Sequence, residues 1–93
     1  MDKKYYWVYI LYCENNSYYT GYTTDLDKRY QAHLNGKASK YTRSFKPVQI
    51  AQYWKLLCDK RTAMQIERHI KNLSRLQKEK LIASPSMLFE FFK

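Results

Sequence analysis

The apolar positions along this chain change period several times, and each change predicts a boundary between elements. From Tyr5 to Cys13 the run Tyr-Tyr-Trp-Val-Tyr-Ile-Leu-Tyr-Cys is aromatic or aliphatic throughout, which predicts a strand covered on both faces. Glu14-Asn15-Asn16-Ser17 follows with turn chemistry, because asparagine tolerates positive φ and short polar side chains bond their own backbone. Residues 18–22, Tyr-Tyr-Thr-Gly-Tyr, then read as the return strand of a hairpin. Gly21 inside it suggests a bulge or a close approach to the backbone. Thr23-Thr24-Asp25 offers caps for a helix reaching about Asn35, with Leu26, Tyr30 and Leu34 as its buried stripe and Gly36 as its stop. Residues 37–47 are basic and predict a loop. Val48 to Leu57 alternates imperfectly through Val48, Ile50, Trp54 and Leu56, and reads as a third strand.

Asp59 or Thr62 caps a second helix with Ala63, Ile66, Ile70 and Leu73 on its apolar face. Ser74-Arg75-Leu76-Gln77 fits a capping box and opens a short third helix to about Ala83. Ser84-Pro85 ends it. The tail from Met87 to Phe92 is apolar enough to dock rather than hang free. The order β-β-α-β-α-α predicts an α+β fold, a small sheet with helices packed on it. The 93 residues hold one core, so residues 1–93 read as a single domain.

Charge adds the first functional expectation. Seventeen Lys and Arg against eight Asp and Glu give a net charge of +9, which points to a polyanionic partner, nucleic acid before an anionic membrane. Cys13 and Cys58 are too few for a disulfide scaffold and lack zinc spacing, so two free thiols in a cytoplasmic chain are expected. No apolar run has membrane-spanning length, and no secretory leader opens the chain.

A few side chains sit where chemistry is possible. Arg29 and His33 are four residues apart and share one side of the first helix, at the edge of its buried stripe. Either they face something held over the sheet, or the arginine lies along the core edge beside a surface histidine. Glu67 falls inside the apolar arc of the second helix. A carboxylate there needs a base or a cation, so it is either salt-bridged, to Arg29 or another base, or a ligand for a hard metal ion. Tyr9 and Tyr19 lie on the two hairpin strands. They are a core pair, or their hydroxyls project from one face, where nearby cations would lower the phenol pKa. His69 lacks a second histidine nearby and reads as a solvated residue. Phosphate loops, H-E-x-x-H and Ser-His-Asp sets are absent from the sequence.

Taken in order, Trp7-Val8-Tyr9, Tyr19-Thr20-Gly21, Arg29 with His33, and Ala63-Glu67-Lys71 resemble the GIY-YIG nuclease family. Val8–Cys13, Ser17–Thr23, Gly36–Thr42 with Pro47-Val48, and Leu73–Ile82 are similar to its small standalone bacterial members. The likeness runs to about Ile82, and the tail Met87–Lys93 has no counterpart in it. Two positions depart from the pattern: Trp7 stands for the glycine of the first triplet and Thr20 for the isoleucine of the second.

The resemblance implies a three-stranded antiparallel sheet flanked by helices, and phosphodiester hydrolysis with one divalent ion, Mg²⁺ or Mn²⁺, held by Glu67. It implies Arg29 on the phosphate oxygens, and Tyr9 as a phenolate base, with Tyr19 and His33 positioning the water or tuning Tyr9. Lys37, Lys40, Arg43 and Lys46 would hold the nucleic-acid backbone without reading sequence. The expectation is a divalent-metal-dependent endonuclease on nucleic acid, DNA ahead of RNA. Family nucleases mostly carry a further targeting domain, so low intrinsic specificity or a protein partner is expected here. The alternatives are a nucleic-acid-binding module on the same scaffold with weak or no cleavage, and an interaction module whose apolar tail docks a partner.

Overall fold

The computed structural model of the chain describes residues 3–91. Its elements are β1 (Lys4–Cys13), β2 (Tyr18–Thr23), α1 (Leu26–Leu34), α2 (Lys40–Ser44), β3 (Pro47–Cys58), α3 (Lys60–Lys71), α4 (Arg75–Ala83), a 3₁₀ turn (Pro85–Met87) and α5 (Leu88–Phe91). The strands form one antiparallel sheet in the order β2-β1-β3. β1 is central, which is why its sequence is apolar at consecutive positions rather than at alternate ones. Asn16 makes the β1–β2 turn at φ 65°, a conformation its short polar side chain accommodates.

The two faces of the sheet carry separate layers. Val8 and Ile10 of β1 point to one side and pack with Trp54, Ile66, Ile70, Leu81 and Leu88, so α3, α4 and α5 lie there. Tyr9, Leu11 and Cys13 point to the other side and meet Leu26 and Tyr30 of α1. The imperfect alternation of β3 has a structural cause. Its register against β1 shifts between Ile10 and Leu11 and again between Tyr12 and Cys13. Ile50 therefore packs in the α1 layer while Trp54 packs in the α3 layer, although both positions are even.

Caps set the helix starts. Asp25, Asp59 and Ser74 accept hydrogen bonds from Lys28, Thr62 and Gln77 backbone N–H groups, and the Ser74 N–H donates in return to Gln77 Oε1 to complete the capping box. Within the basic segment 37–47 the structure departs from the expected loop. Ser39 caps the five-residue helix α2 by accepting from Thr42 N, and so short a helix carries no apolar period to announce it. Leu88 of the tail is completely buried, and Trp54 Nε1 donates to the Pro85 carbonyl at 2.8 Å. The tail thus docks through Leu88; Phe92 lies outside the described residues.

Candidate active site

Helix α1 buries a polar residue beside the stripe that the sequence suggested. Leu26, Tyr30 and Leu34 are half-buried, and the buried residue of the helix is His33, 1% exposed. Its Nε2 lies 2.8 Å from the Tyr9 hydroxyl and its Nδ1 lies 2.7 Å from Thr42 Oγ1. Both ring nitrogens are therefore partnered, which is the condition for burying an imidazole. His33 is neither a surface residue nor part of an open site. It sits behind Tyr9.

Tyr9 reaches outward across its neighbour. It pairs with Gly21 on β2, and a methyl group at Gly21 would stand 2.5 Å from Tyr9 Oη and 2.7 Å from its Cζ. The absence of a side chain lets the phenol ring lie across the edge strand. Tyr9 is 1% exposed, and it borders an open cleft of about 420 Å³ at the β2 edge. Tyr9, Tyr19, Gly21 and Arg29 line the cleft from the α1 side, and Tyr6, Tyr22 and Glu67 from the α3 side. Glu67 thus belongs to the helix on the opposite face of the sheet from α1, yet its carboxylate reaches the same cleft around the edge.

Four of the five residues singled out as catalytic line this cleft, and His33 does not. Tyr19 stacks on Tyr41 of α2 with ring centroids 5.9 Å apart and contacts His33 edge-on at 5.2 Å. Glu67 is ion-paired with Lys71 at 3.8 Å, a helical i,i+4 partner rather than Arg29. The four loop cations Lys37, Lys40, Arg43 and Lys46 are exposed. They lie on and around α2, which adjoins the cleft through Tyr41, and they do not line it. The lining cations beside Arg29 are Lys4 and Lys60. Sequence reasoning passed over both. Lys60 stands seven residues before Glu67, two helical turns along the same face, and that spacing was the available signal. His69 is half-buried rather than solvated.

The electrostatics revise one expectation. Burial pushes the Tyr9 phenol well above its usual pKa, and Tyr19 adds to the rise; the Arg29 guanidinium opposes it by charge and hydrogen bonding without overcoming it. Burial thus favours the neutral phenol of Tyr9 over its phenolate, because desolvation of the anion outweighs one neighbouring cation. Burial, helped by Arg29, lowers His33 to about 4, so its ring is neutral at pH 7.

One carboxylate, the Tyr9 hydroxyl and three cations thus line a single open cleft, in an α+β fold with one three-stranded antiparallel sheet. The family model for the GIY-YIG catalytic domain matches residues 5–80, and the chain belongs to that family. It is 46% identical over 77 residues to UPF0213 protein BH0048 of Halalkalibacterium halodurans, covering 83% of this chain and 81% of that one. It is 45% identical over 87 residues to UPF0213 protein CPE1444 of Clostridium perfringens, covering 94% and 92% respectively. It is also similar to the solution NMR structure of UPF0213 protein BH0048 from Bacillus halodurans, with a TM-score of 0.54 and 44% identity over 86% of this chain and 84% of that one. The chain is thus a small member of the family, with the family's three-stranded antiparallel sheet flanked by helices.

Proposed function

We propose that this protein is a divalent-metal-dependent endonuclease that hydrolyses phosphodiester bonds in nucleic acid, DNA ahead of RNA. The observation that carries the reading is the meeting of Glu67 with Tyr9, Tyr19 and Arg29 in one cleft, reached from opposite faces of the sheet. Among the described residues no three acidic, histidine or cysteine side chains gather as a metal cage. A single hard oxygen donor beside open space suits Mg²⁺ or Mn²⁺, which keep water and phosphate oxygens as their other ligands. Glu67 would hold that ion, which when bound polarises the phosphate and stabilises the leaving 3′-oxygen.

The chain's own groups divide the remaining work. Arg29 offers donors without acceptors, and its fork matches the non-bridging phosphate oxygens. Lys4 and Lys60 add charge along the cleft wall. Tyr9 acts as a neutral phenol that accepts a hydrogen bond from the attacking water. Its own hydrogen is held by the neutral His33 Nε2, which keeps the oxygen lone pairs turned to that water. No free phenolate accumulates, in keeping with the raised pKa of Tyr9. Tyr19 packs against His33 and shapes the wall beside Tyr9. Cleavage is of low intrinsic specificity, or a protein partner supplies targeting.

The test is incubation with labelled linear, branched and single-stranded DNA and RNA in Mg²⁺, Mn²⁺ or EDTA, with Glu67→Gln alongside. Metal-dependent cleavage that Glu67→Gln abolishes, with nucleic-acid affinity kept, supports the reading. A Glu67→Gln protein that still cleaves but melts earlier makes Glu67 only the salt-bridge partner of Lys71. A wild type inert on every substrate, yet binding them, leaves the binding module.

A further inference from the structure

Behind Tyr9 runs a line of polar side chains that the proposed reaction uses only at its near end. From the cleft inward it is Tyr9, His33, Thr42 and Ser39. Thr42 is completely buried, lies 2.7 Å from His33 Nδ1 and 2.8 Å from Ser39 Oγ, and sits 3.5 Å from the Ser39 carbonyl. Ser39 Oγ in turn accepts from Thr42 N at 3.1 Å. A neutral imidazole carries hydrogen on one nitrogen only, so the two ends of the ring play opposite roles.

Two arrangements of hydrogens fit the distances. In one, Nδ1–H donates to Thr42, Thr42 donates on toward the Ser39 oxygens, and Nε2 accepts the Tyr9 hydrogen. In the other, the Ser39 hydroxyl donates to Thr42, Thr42 donates to Nδ1, Nε2–H donates to Tyr9 Oη, and the Tyr9 hydrogen turns out into the cleft. The cleft side decides between them. Arg29 faces the Tyr9 hydroxyl, and a guanidinium has donors only. It attracts lone pairs and repels a hydroxyl hydrogen. The first arrangement turns the lone pairs toward Arg29 and gives each of these three hydrogens an acceptor.

We propose that Thr42 is a positioning residue: by accepting from His33 Nδ1–H it fixes the tautomer that draws the Tyr9 hydrogen inward and leaves the Tyr9 oxygen as an acceptor facing the cleft. With the opposite tautomer, Tyr9 would present a donor to the cleft and could not receive a hydrogen bond from water through that position. Helix α2 is the device that brings Thr42 there, which gives a five-residue helix in a basic connection a purpose.

The catalytic consequence rests on the nuclease reading, but the tautomer does not, so the experiment reads the tautomer directly. Long-range ¹H–¹⁵N correlation spectra of ¹⁵N-labelled protein distinguish a hydrogen-bearing ring nitrogen from a bare one, with His33 assigned by the loss of His69 signals in His69→Gln. Wild type and Thr42→Ser are expected to show Nδ1–H. Thr42→Val, which keeps the shape and loses the acceptor, is expected to move His33 wholly or partly to Nε2–H. A wild type with Nε2–H, or a folded Thr42→Val with the wild-type pattern, overturns the proposal. Should Thr42→Val fail to fold, the wild-type and Thr42→Ser tautomers decide. Where cleavage is detected, Thr42→Val is expected to lower kcat about 10- to 100-fold with KM unchanged and Thr42→Ser to restore it. Undetectable cleavage with the expected tautomers counts against the nuclease reading and leaves the positioning role standing.

Discussion

Thr20 and Gly21 are neighbours on β2 that face opposite layers, and each answers to a different constraint. Gly21 lies under the Tyr9 ring, which is held from behind by His33. Gly21→Ala forces the ring outward or splits the strands, and overpacking of this kind costs about 1–3 kcal/mol. Thr20 pairs with Ile10 and faces the α3 layer, 2% exposed. Its Oγ1 has no hydrogen-bond partner among the described residues. A buried hydroxyl without a partner costs about 1–3 kcal/mol, so Thr20→Val, nearly the same shape, is expected to stabilise the fold by about that amount. Thermal or urea unfolding of the two variants should move in opposite directions from wild type. A destabilised Thr20→Val would show that the hydroxyl is satisfied.

At the scale of elements, α1 and α2 clasp one histidine, and that clasp responds to pH. Folding lowers His33 from 6.5 to about 4, chiefly by burial and secondly through Arg29. Between those values the unfolded chain takes up a proton that the folded chain refuses. Stability is therefore full above about pH 6.5 and falls as pH drops toward 4, by at most about 1.4 kcal/mol per pH unit for one proton. Asp59, held below the usual carboxylate range by its Thr62 hydrogen bonds, acts in the same direction at lower pH. Urea midpoints at pH 7 and pH 5 should differ in wild type, and the difference should shrink in His33→Gln. An equal difference in both proteins would place the proton elsewhere. The same clasp marks the limit of what the chain discloses as text. The strands, the main helices and the Ser74 capping box are legible because each has a local signature of period or cap. The α1–α2 clasp is not, because His33 and Thr42 are nine residues apart and buried polar pairs obey no helical period. Tyr9, Tyr19, Arg29 and Glu67 could be singled out by their order along the chain, but not the route by which Glu67 rounds the sheet edge. That depends on β2 being the outer strand.

Over the whole molecule, seven of the seventeen Lys and Arg side chains fall in two groups at and beside the cleft. Arg29, Lys4 and Lys60 line the cleft, while Lys37, Lys40, Arg43 and Lys46 lie on and around α2 beside it. A strand whose scissile phosphate sits at Arg29 would extend past Tyr19 and Tyr41 toward α2, since those rings stack without a gap between cleft and helix. Each phosphate neutralised by a cation releases condensed counterions and steepens the salt dependence, by about 0.9 in the slope of log K against log salt for duplex DNA. If both groups engage one backbone, the slope should be roughly −4 to −6; if only the cleft engages, roughly −3 or shallower. Fluorescence anisotropy of a labelled oligonucleotide, titrated in EDTA to hold cleavage off, measures it. Lys60→Ala and Lys40→Ala should each reduce the slope by about 1 and weaken binding about equally across sequences. The informative comparison is between them. A loss confined to Lys60→Ala would confine the backbone to the cleft and leave the α2 cations as solvated charge. A loss confined to Lys40→Ala would detach binding from the cleft altogether, because nothing held only at α2 brings a phosphate to Tyr9. Equal losses require one strand running across both, past the aromatic pair that joins them.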